Sequence, residues 1–422
     1  MITQSIVLTI FIIMSVTMIP ALRLVRGNIW YVFPILSWYL VYSIMPTFFM
    51  LLTSDTFLYF LNDVAVLLPY VFSFFVFVVL LILHSRIKYR DHDAYISNSL
   101  GADKNTYLIT LFLFLVLIIW SFESASFDLK GQSKSDYLMS RQDEIVKSGS
   151  GSGMFRRQLE YLFYLFIGWG LYIGQRKEKY IKLFVVYILL QLVIVFFGGL
   201  YRSPLIAYTL FGFFVFYKLY LGRNTFYNYL IILSISLPFL MSLLAFLRDG
   251  RSPEWIGLIG TLAHGLSGFA TVLEIRHLYD NPVYENGYQF MLNFITFIPR
   301  FLWPDKPVTS FSFRVSEEIF GQIGVDAAWI HTFTILGEGY RQFAGLGMIF
   351  SSFIAAFLVL LIISIILKNP SYRILGAFIM IMFPIIFRGD LNSLFGRTYE
   401  FLIAIFIFET IRRLSPRVKN DI

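Results

Sequence analysis

The sequence predicts an all-α, polytopic integral membrane protein with about 11 transmembrane helices. Of its 422 residues, 58% are hydrophobic and 14% are charged, and the mean hydropathy is +0.72. A soluble domain carries roughly 25% charged residues, so this chain has too few to cover a surface that faces water. Aromatic residues make up 19% of the chain, which suits helices that face lipid and end at its interfaces.

Eleven apolar runs follow one another along the chain, most of them long enough to cross a bilayer as a helix. They cover about 4–22, 28–51, 57–83, 107–122, 159–174, 180–197, 204–221, 228–247, 344–367, 374–387 and 394–411. The first run is not preceded by a basic residue and shows no small-residue cleavage pattern, which predicts a retained helix and not a signal peptide. We therefore expect residues 1–422 to form a single transmembrane domain.

Basic residues concentrate in every second connection between these runs, and this alternation predicts which side is cytoplasmic. The basic connections and tail contain Arg23, Arg26, Arg86, Lys88, Arg90, Arg176, Lys177, Lys179, Lys182, Lys218, Arg223, Lys368, Arg373, Arg412, Arg413, Arg417 and Lys419. With an odd number of spans, the N-terminus is expected outside and the C-terminus in the cytoplasm. The net charge of +8 follows from the same bias, so no nucleic acid is expected as a partner.

Two long segments then fall on the outer side. Residues 123–158 are polar and include a Ser-Gly repeat at 148–153, the composition of a flexible loop. Residues 248–343 form a large outer loop of mixed polarity, which we expect to carry the functional site. Within it, the apolar steps of three and four residues over 255–279 predict a helix lying on the membrane interface. The apolar stretch 288–301 is too short to cross and predicts a re-entrant or interfacial helix.

Arginines recur on this outer side, where positive charge is normally depleted. They are Arg202, Arg248, Arg251, Arg300 and Arg341, with Arg388 and Arg397 bracketing the last outer connection. A guanidinium group matches phosphate oxygens in a bidentate way and keeps its charge. The set predicts a site for a lipid-linked diphosphate. The alternative is that each arginine contacts phospholipid or pairs with an acidic residue such as Asp249, Glu254, Glu317, Glu338 or Asp390.

A second feature is a stripe of polar residues before the ninth run. His331, Thr334, Glu338 and Arg341 are separated by three, four and three residues, so one face of a helix would carry them all. A carboxylate or an imidazole there is suited to accept a proton from an attacking hydroxyl group. An ordinary Glu–Arg helix pair is the alternative. His264 is a further candidate base, although a lone histidine is more often structural.

The chain contains no cysteine, which excludes disulfides, thiolate nucleophiles and Cys-ligated metal sites. The histidines lack the spacing of a zinc site, and no phosphate-binding loop or serine-hydrolase motif stands in a suitable context. We therefore expect no metal and no cofactor.

Three motifs resemble those of a known family. They are Tyr201-Arg202-Ser203, Ile298-Pro299-Arg300-Phe301-Leu302-Trp303-Pro304-Asp305-Lys306-Pro307, and Gly337-Glu338-Gly339-Tyr340 before a glycine-rich helix. The combination is similar to the Wzy-type oligosaccharide repeat-unit polymerases of bacterial O-antigen and capsule synthesis. The proline–arginine–tryptophan–proline–lysine–proline string is its most specific part. The resemblance covers about 200–350, and the first half of the chain matches only in hydropathy.

The resemblance implies a GT-C-like glycosyltransferase in the bacterial inner membrane, with its site on the periplasmic side. Such an enzyme transfers a growing glycan from undecaprenyl diphosphate to an incoming lipid-linked repeat unit, without a metal or a nucleotide sugar. A chain-length regulator protein is an expected partner.

The same resemblance, applied to matching positions, suggests roles for individual residues. It makes Arg202 and Arg300 the main diphosphate ligands and Glu338 the general base. Arg248, Arg251 and Arg341 are supporting ligands on charge and sidedness alone, while His264 and His331 remain alternative bases.

Two other functions compete with polymerisation. An O-antigen ligase uses the same donor and transfers the glycan to a lipid A core. A transporter of the lipid-linked oligosaccharide would instead line a central cavity with charges halfway through several helices. Here most charges lie near the predicted helix ends, which favours surface chemistry over translocation.

Overall fold

A computed structural model describes the fold. The described residues are 2–25, 28–47, 64–86, 104–124, 151–172, 177–197, 208, 211, 267–278, 284–298, 302–303, 305–320 and 333–414. Within these ranges the secondary structure is helical and no strand occurs, which confirms the all-α prediction for the described part of the chain.

The helices are numbered in chain order. They are α1 (Ile2–Val16), α2 (Met18–Leu24), α3 (Ile29–Tyr39), α4 (Val64–Ser85), α5 (Lys104–Ser124), α6 (Gly151–Tyr172), α7 (Lys177–Phe197), α8 (Gly268–Leu278), α9 (Tyr288–Phe294), α10 (Phe311–Phe320), α11 (Ile335–Lys368), α12 (Arg373–Arg388) and α13 (Leu391–Leu414). A π-helical turn, Leu40–Ile44, continues α3, and a 3₁₀ turn, Pro370–Tyr372, precedes α12.

Four helical segments among the described residues are long and apolar enough to cross a membrane. They are Val7–Leu24, Val66–Ser85, Ile335–Lys368 and Pro370–Arg388, with Thr106–Ser121 as a shorter apolar helix. These segments coincide with predicted spans. The predicted spans at 204–221 and 228–247 lie outside the described residues apart from Tyr208 and Phe211, so the count of eleven stays a prediction.

Contacts between helices define the two ends of the bundle. At the end that we call the site end, the Tyr42 hydroxyl donates to the Phe387 carbonyl (2.8 Å) and the Leu391 amide donates to Glu338 (2.7 Å). At the opposite end, the His84 ring contacts the Tyr31 and Ser364 hydroxyls (2.7 and 3.3 Å). The helix directions place five of the basic residues predicted to be cytoplasmic at this opposite end: Arg23, Arg86, Lys368, Arg373 and Arg412.

Helix α11 is not straight. Its backbone leaves helical geometry at Phe343 and Ala344, where Ala344 has a positive φ of 49°. The chain folds back there, so that Gly339 and Gly347 touch, although eight residues of a straight helix would separate them by about 12 Å. The helix is thus a short segment, α11a (335–342), and a long one, α11b (345–368). The predicted ninth span, 344–367, corresponds to α11b.

The contact between α11a and α11b explains Gly339 of the Gly337-Glu338-Gly339-Tyr340 motif. A Cβ atom on Gly347 would overlap the carbonyl oxygen of Gly339, and one on Gly339 would overlap Gly347 and Ser351. Because the obstacle is backbone, no side chain can rotate away. Glycine is required at this crossing for close approach.

We expect Gly347→Ala to destabilise the fold by about 3 kcal/mol or more, since overpacking against backbone forces the two helix segments apart. Gly396→Ala is the matched control, because its Cβ would meet only Thr296 Cγ2 at 3.9 Å. Melting temperatures of the purified variants in detergent would test this. Equal melting temperatures for both variants would contradict the close crossing.

Two predictions about the outer segments are wrong in part. The described half of the 255–279 segment is α8, and its Phe269, Val272 and Ile275 are buried in the bundle core and not laid on an interface. The predicted flexible loop 123–158 ends earlier, because α6 begins at Gly151. The polarity that suggested a loop at 156–158 is accounted for by partners on other helices, such as Glu400 for Arg157 (2.7 Å).

Candidate functional site

Glu338 lies at the centre of a polar site inside the site end of the bundle. Its side chain has no exposed surface. The Asn293 amide nitrogen donates to Oε1 (2.7 Å), and the Leu391 backbone N–H donates to Oε2 (2.7 Å). Leu391 opens α13, so its N–H has no partner within that helix. Glu338 thus joins α11a to the first turn of α13 and to α9.

A second buried carboxylate, Asp390, precedes Leu391 and caps two helices. Its Oδ1 accepts from the Ser393 amide (3.0 Å) and hydroxyl (2.8 Å), the pattern of an N-cap on α13. Its Oδ2 accepts from the Ser310 hydroxyl (2.9 Å) and the Ser312 amide (3.2 Å) at the start of α10. Both carboxylates therefore face helix N-termini, where negative charge is stabilised by the helix dipole.

The start of α11a lies against the same region. Thr334 caps this helix by accepting from the Gly337 amide (3.4 Å), and its hydroxyl contacts that of Thr271 on α8 (2.7 Å). The Phe333 amide donates to the Ser312 hydroxyl (3.1 Å). Three helix N-termini, those of α10, α11 and α13, consequently meet around two carboxylates.

A chain of polar side chains continues from Asn293 along α9. Gln289 donates to Asn293 Oδ1 (3.1 Å) and accepts from Arg314 Nε (3.0 Å). Arg314 also pairs with Glu285 (2.6 Å), and Glu285 accepts from Gln342 (2.8 Å). This network fixes the buried face of α9 against α10 and α11a.

The opposite face of α9 is apolar and exposed. Tyr288, Met291 and Phe294 recur every three residues on it, followed by Phe297. A short helix is thus present within 288–301, described as far as Ile298, and its re-entrant or interfacial placement stays a prediction.

Arg341 is buried and paired with carboxylates. Its Nη2 atom lies 3.0 Å from Glu318 Oε1, and its Nε atom lies 3.6 Å from Glu285 Oε1. The sequence left open that an outer arginine forms an ion pair within the protein, and this is observed for Arg341. Its partners, Glu318 and Glu285, are not among the acidic residues suggested from the sequence. Arg341 holds α10 and the 284–287 turn against α11a.

The most specific sequence motif is partly described, and its lysine has a structural contact. Lys306 is buried, and its Nζ donates to the carbonyl oxygens of Thr296 and Ile298 (both 2.9 Å). It thus ties the segment after α9 to the Trp303–Lys306 turn. Arg300, between these two pieces, lies outside the described residues.

The structure brings together Glu338, Thr334 and Arg341 of the predicted stripe. Helix α11 begins at Ile335, however, so Thr334 is its cap and His331 precedes it; a single helix face carrying all four residues is wrong. The other predicted site residues lie outside the described residues, namely Arg202, Arg248, Arg251, Arg300, His264 and His331. Among the described residues, no group of three His, Asp or Glu side chains is arranged to hold a metal ion.

Sequence reasoning missed a further buried acid, Glu160. Its Oε1 accepts from the hydroxyls of Tyr164 (2.7 Å), Tyr208 (2.8 Å) and Tyr187 (3.1 Å). The only local signal was the i, i+4 spacing of Glu160 and Tyr164, since the other two tyrosines come from distant segments. The expectation that the helix interiors are mostly free of charge therefore has an exception at Glu160.

The chain was compared with models of protein families, with curated proteins and with solved structures, and none of the three comparisons finds a match.

Proposed function

We propose that the protein polymerises undecaprenyl-diphosphate-linked oligosaccharide repeat units into O-antigen or capsular polysaccharide. In this proposal it is a metal-independent glycosyltransferase of the bacterial inner membrane, and the site end of the bundle faces the periplasm. The observation that carries the proposal is the buried Glu338 in the Gly337-Glu338-Gly339-Tyr340 motif, held at a meeting point of three helix N-termini. The motif resemblance supports the choice of substrate.

The proposed reaction is one glycosyl transfer per added repeat unit. A hydroxyl group of the incoming unit attacks the anomeric carbon of the donor glycan and forms the new glycosidic bond. The bond from that carbon to the diphosphate breaks, and undecaprenyl diphosphate leaves. Glu338 accepts the hydroxyl proton, while Arg202 and Arg300, with Arg248 and Arg251 in support, stabilise the negative charge on the departing diphosphate. Arg341, which pairs with Glu318 and Glu285, is left out of this set.

The helix N-termini around Glu338 suit a general base. Helices α10, α11 and α13 begin around Glu338 and Asp390, and the positive end of a helix dipole stabilises a carboxylate in the charged form that accepts a proton. Glu338 itself has no exposed surface. The proposed role therefore requires the acceptor hydroxyl to reach Glu338 by moving α9, whose Asn293 covers Oε1.

This required motion gives a test that the cysteine-free chain makes simple. A reducible bifunctional thiol reagent that joins Cys replacements at Phe294 and Phe395, whose rings lie 5.1 Å apart, would tie α9 to α13. We expect transfer to stop on cross-linking and to return on reduction. The control pair is Phe166 and Phe408, whose rings are also 5.1 Å apart, at the opposite end. Full activity of the cross-linked Phe294/Phe395 variant would show that α9 does not open.

The function itself is tested by incubating purified protein with a synthetic undecaprenyl-diphosphate-linked repeat unit and separating the products on a gel. Polymerisation gives a ladder spaced by whole repeat units, without added metal or nucleotide sugar. Glycan transfer only when a lipid A core is supplied would indicate a ligase. Movement of the lipid across vesicles without any transfer would indicate a transporter.

A further inference from the structure

Arg388 ends α12 at the site end, and its side chain is partly buried. Its Nε atom is buried without a hydrogen-bond partner. Among the residues that the structure describes, no hydrogen bond or ion pair to any other Arg388 atom is found either. An arginine with no carboxylate partner among the described residues is a candidate to bind an anion.

Other arginines towards the same end have carboxylate partners within the protein. Arg157 and Arg397 pair with Glu400 (2.7 and 3.1 Å). Arg314 pairs with Glu285 and Arg341 with Glu318, as described above. Arg388 departs from this pattern although acidic residues are close to it along the chain.

The nearby carboxylates are engaged by other donors. Asp390, two residues further on, takes donors from Ser310, Ser312 and Ser393, and Glu338 takes the Leu391 and Asn293 N–H groups. The backbone around Arg388 is also fixed. The Phe387 carbonyl accepts from Tyr42 (2.8 Å), and the Gly389 amide bonds back to Ile385 and Ile386 (3.3 and 3.1 Å). Among the described residues, Arg388 therefore has no group that compensates its charge, and the backbone that carries it is held in place.

We infer that Arg388 binds the phosphate groups of a lipid-linked substrate next to Glu338. The guanidinium fork matches two phosphate oxygens, and the residue ends a helix long and apolar enough to cross a membrane, which puts it at the depth of lipid head groups. The inference rests on the proposed function and adds to it a diphosphate ligand from the last connection of the chain. Arg341, in contrast, is already paired with two carboxylates.

The test is binding of farnesyl diphosphate to the full-length protein in nanodiscs of zwitterionic lipid, measured by isothermal titration. We expect Arg388→Gln to weaken binding about 10-fold or more and Arg388→Lys to weaken it less, because lysine keeps the charge but loses the fork. Arg373→Gln, at the other end of the same helix, is the matched control and should bind as the wild type does. Melting temperatures show whether each variant is folded. If Arg388→Gln does not fold, the binding affinity of Arg388→Lys is compared with that of the wild type instead.

The same binding measurement with other compounds identifies the source of the phosphate. Farnesol should not bind, and inorganic diphosphate should bind more weakly than farnesyl diphosphate. If inorganic diphosphate binds as tightly, in an Arg388-dependent way, Arg388 is a phosphate ligand but the lipid chain adds nothing, which overturns the assignment to a lipid-linked substrate. Competition by phosphatidylglycerol at equal concentration would likewise assign Arg388 to ordinary lipid head groups.

The outcomes separate this inference from the proposed function. Unchanged farnesyl diphosphate binding by folded Arg388→Gln, with a wild-type ladder of repeat units, overturns the inference alone. Arg388-dependent binding without any ladder overturns the polymerase proposal alone. Absence of binding by the wild type overturns the diphosphate site at Arg388, while the ladder still reports on the function.

Discussion

Glu338→Gln is expected to abolish polymer formation, with turnover falling about 100-fold or more. Glutamine has nearly the same shape and still accepts the Leu391 N–H, but it cannot take up the proton of the attacking hydroxyl group. The fold should survive with a loss of stability of about 1–3 kcal/mol, since the Asn293 hydrogen bond is compromised. The measurement is the rate at which the ladder of repeat units grows, at matched protein levels.

The control for this variant is Glu178→Gln, an exposed carboxylate at the opposite end of the bundle, which should leave the rate unchanged. Polymerisation by Glu338→Gln at the wild-type rate would reduce Glu338 to a group that joins α9, α11a and α13. In that case Glu338 would act only by accepting the two structural hydrogen bonds from Asn293 and Leu391.

Arg202→Ala and Arg300→Ala are expected to reduce polymer formation by about 100-fold each, because each removes a positive charge that stabilises the departing diphosphate. Replacement of either residue by lysine should restore part of the activity, since the charge returns without the bidentate fork. The measurement is polymer length and amount on a gel, with membrane insertion and abundance confirmed for each variant. Full-length polymer from both alanine variants would contradict the diphosphate cluster.

The helical class of the fold was predictable from the sequence because apolar length and composition are local properties. The apolar run at 374–387 lies in the helix Arg373–Arg388, and the run at 180–197 lies in the helix Lys177–Phe197. No comparable local signal marks the fold-back at Ala344. It depends on the contact of Gly339 with Gly347, which hydropathy within a continuous apolar run does not reveal.

The candidate site was predictable only in part, for a related reason. Glu338 and Arg341 stood out because the ionisable groups lie beside an apolar run. Their partners did not, since Asn293 and Glu318 come from other segments and reach the site only through packing. Arg388 was recognised from the sequence as an outer arginine, but only the structure shows that its Nε has no partner among the described residues.

The central claim, that the site end binds a lipid-linked diphosphate, is tested most directly by photocrosslinking. The probe is a prenyl diphosphate with a diazirine on the isoprene unit next to the diphosphate, incubated with the full-length protein in nanodiscs and mapped by mass spectrometry. We predict labelled peptides from 284–303 and 386–392, and less labelling when unlabelled farnesyl diphosphate is added. Labelling confined to the opposite end, around His84 and Ser364, would contradict the account.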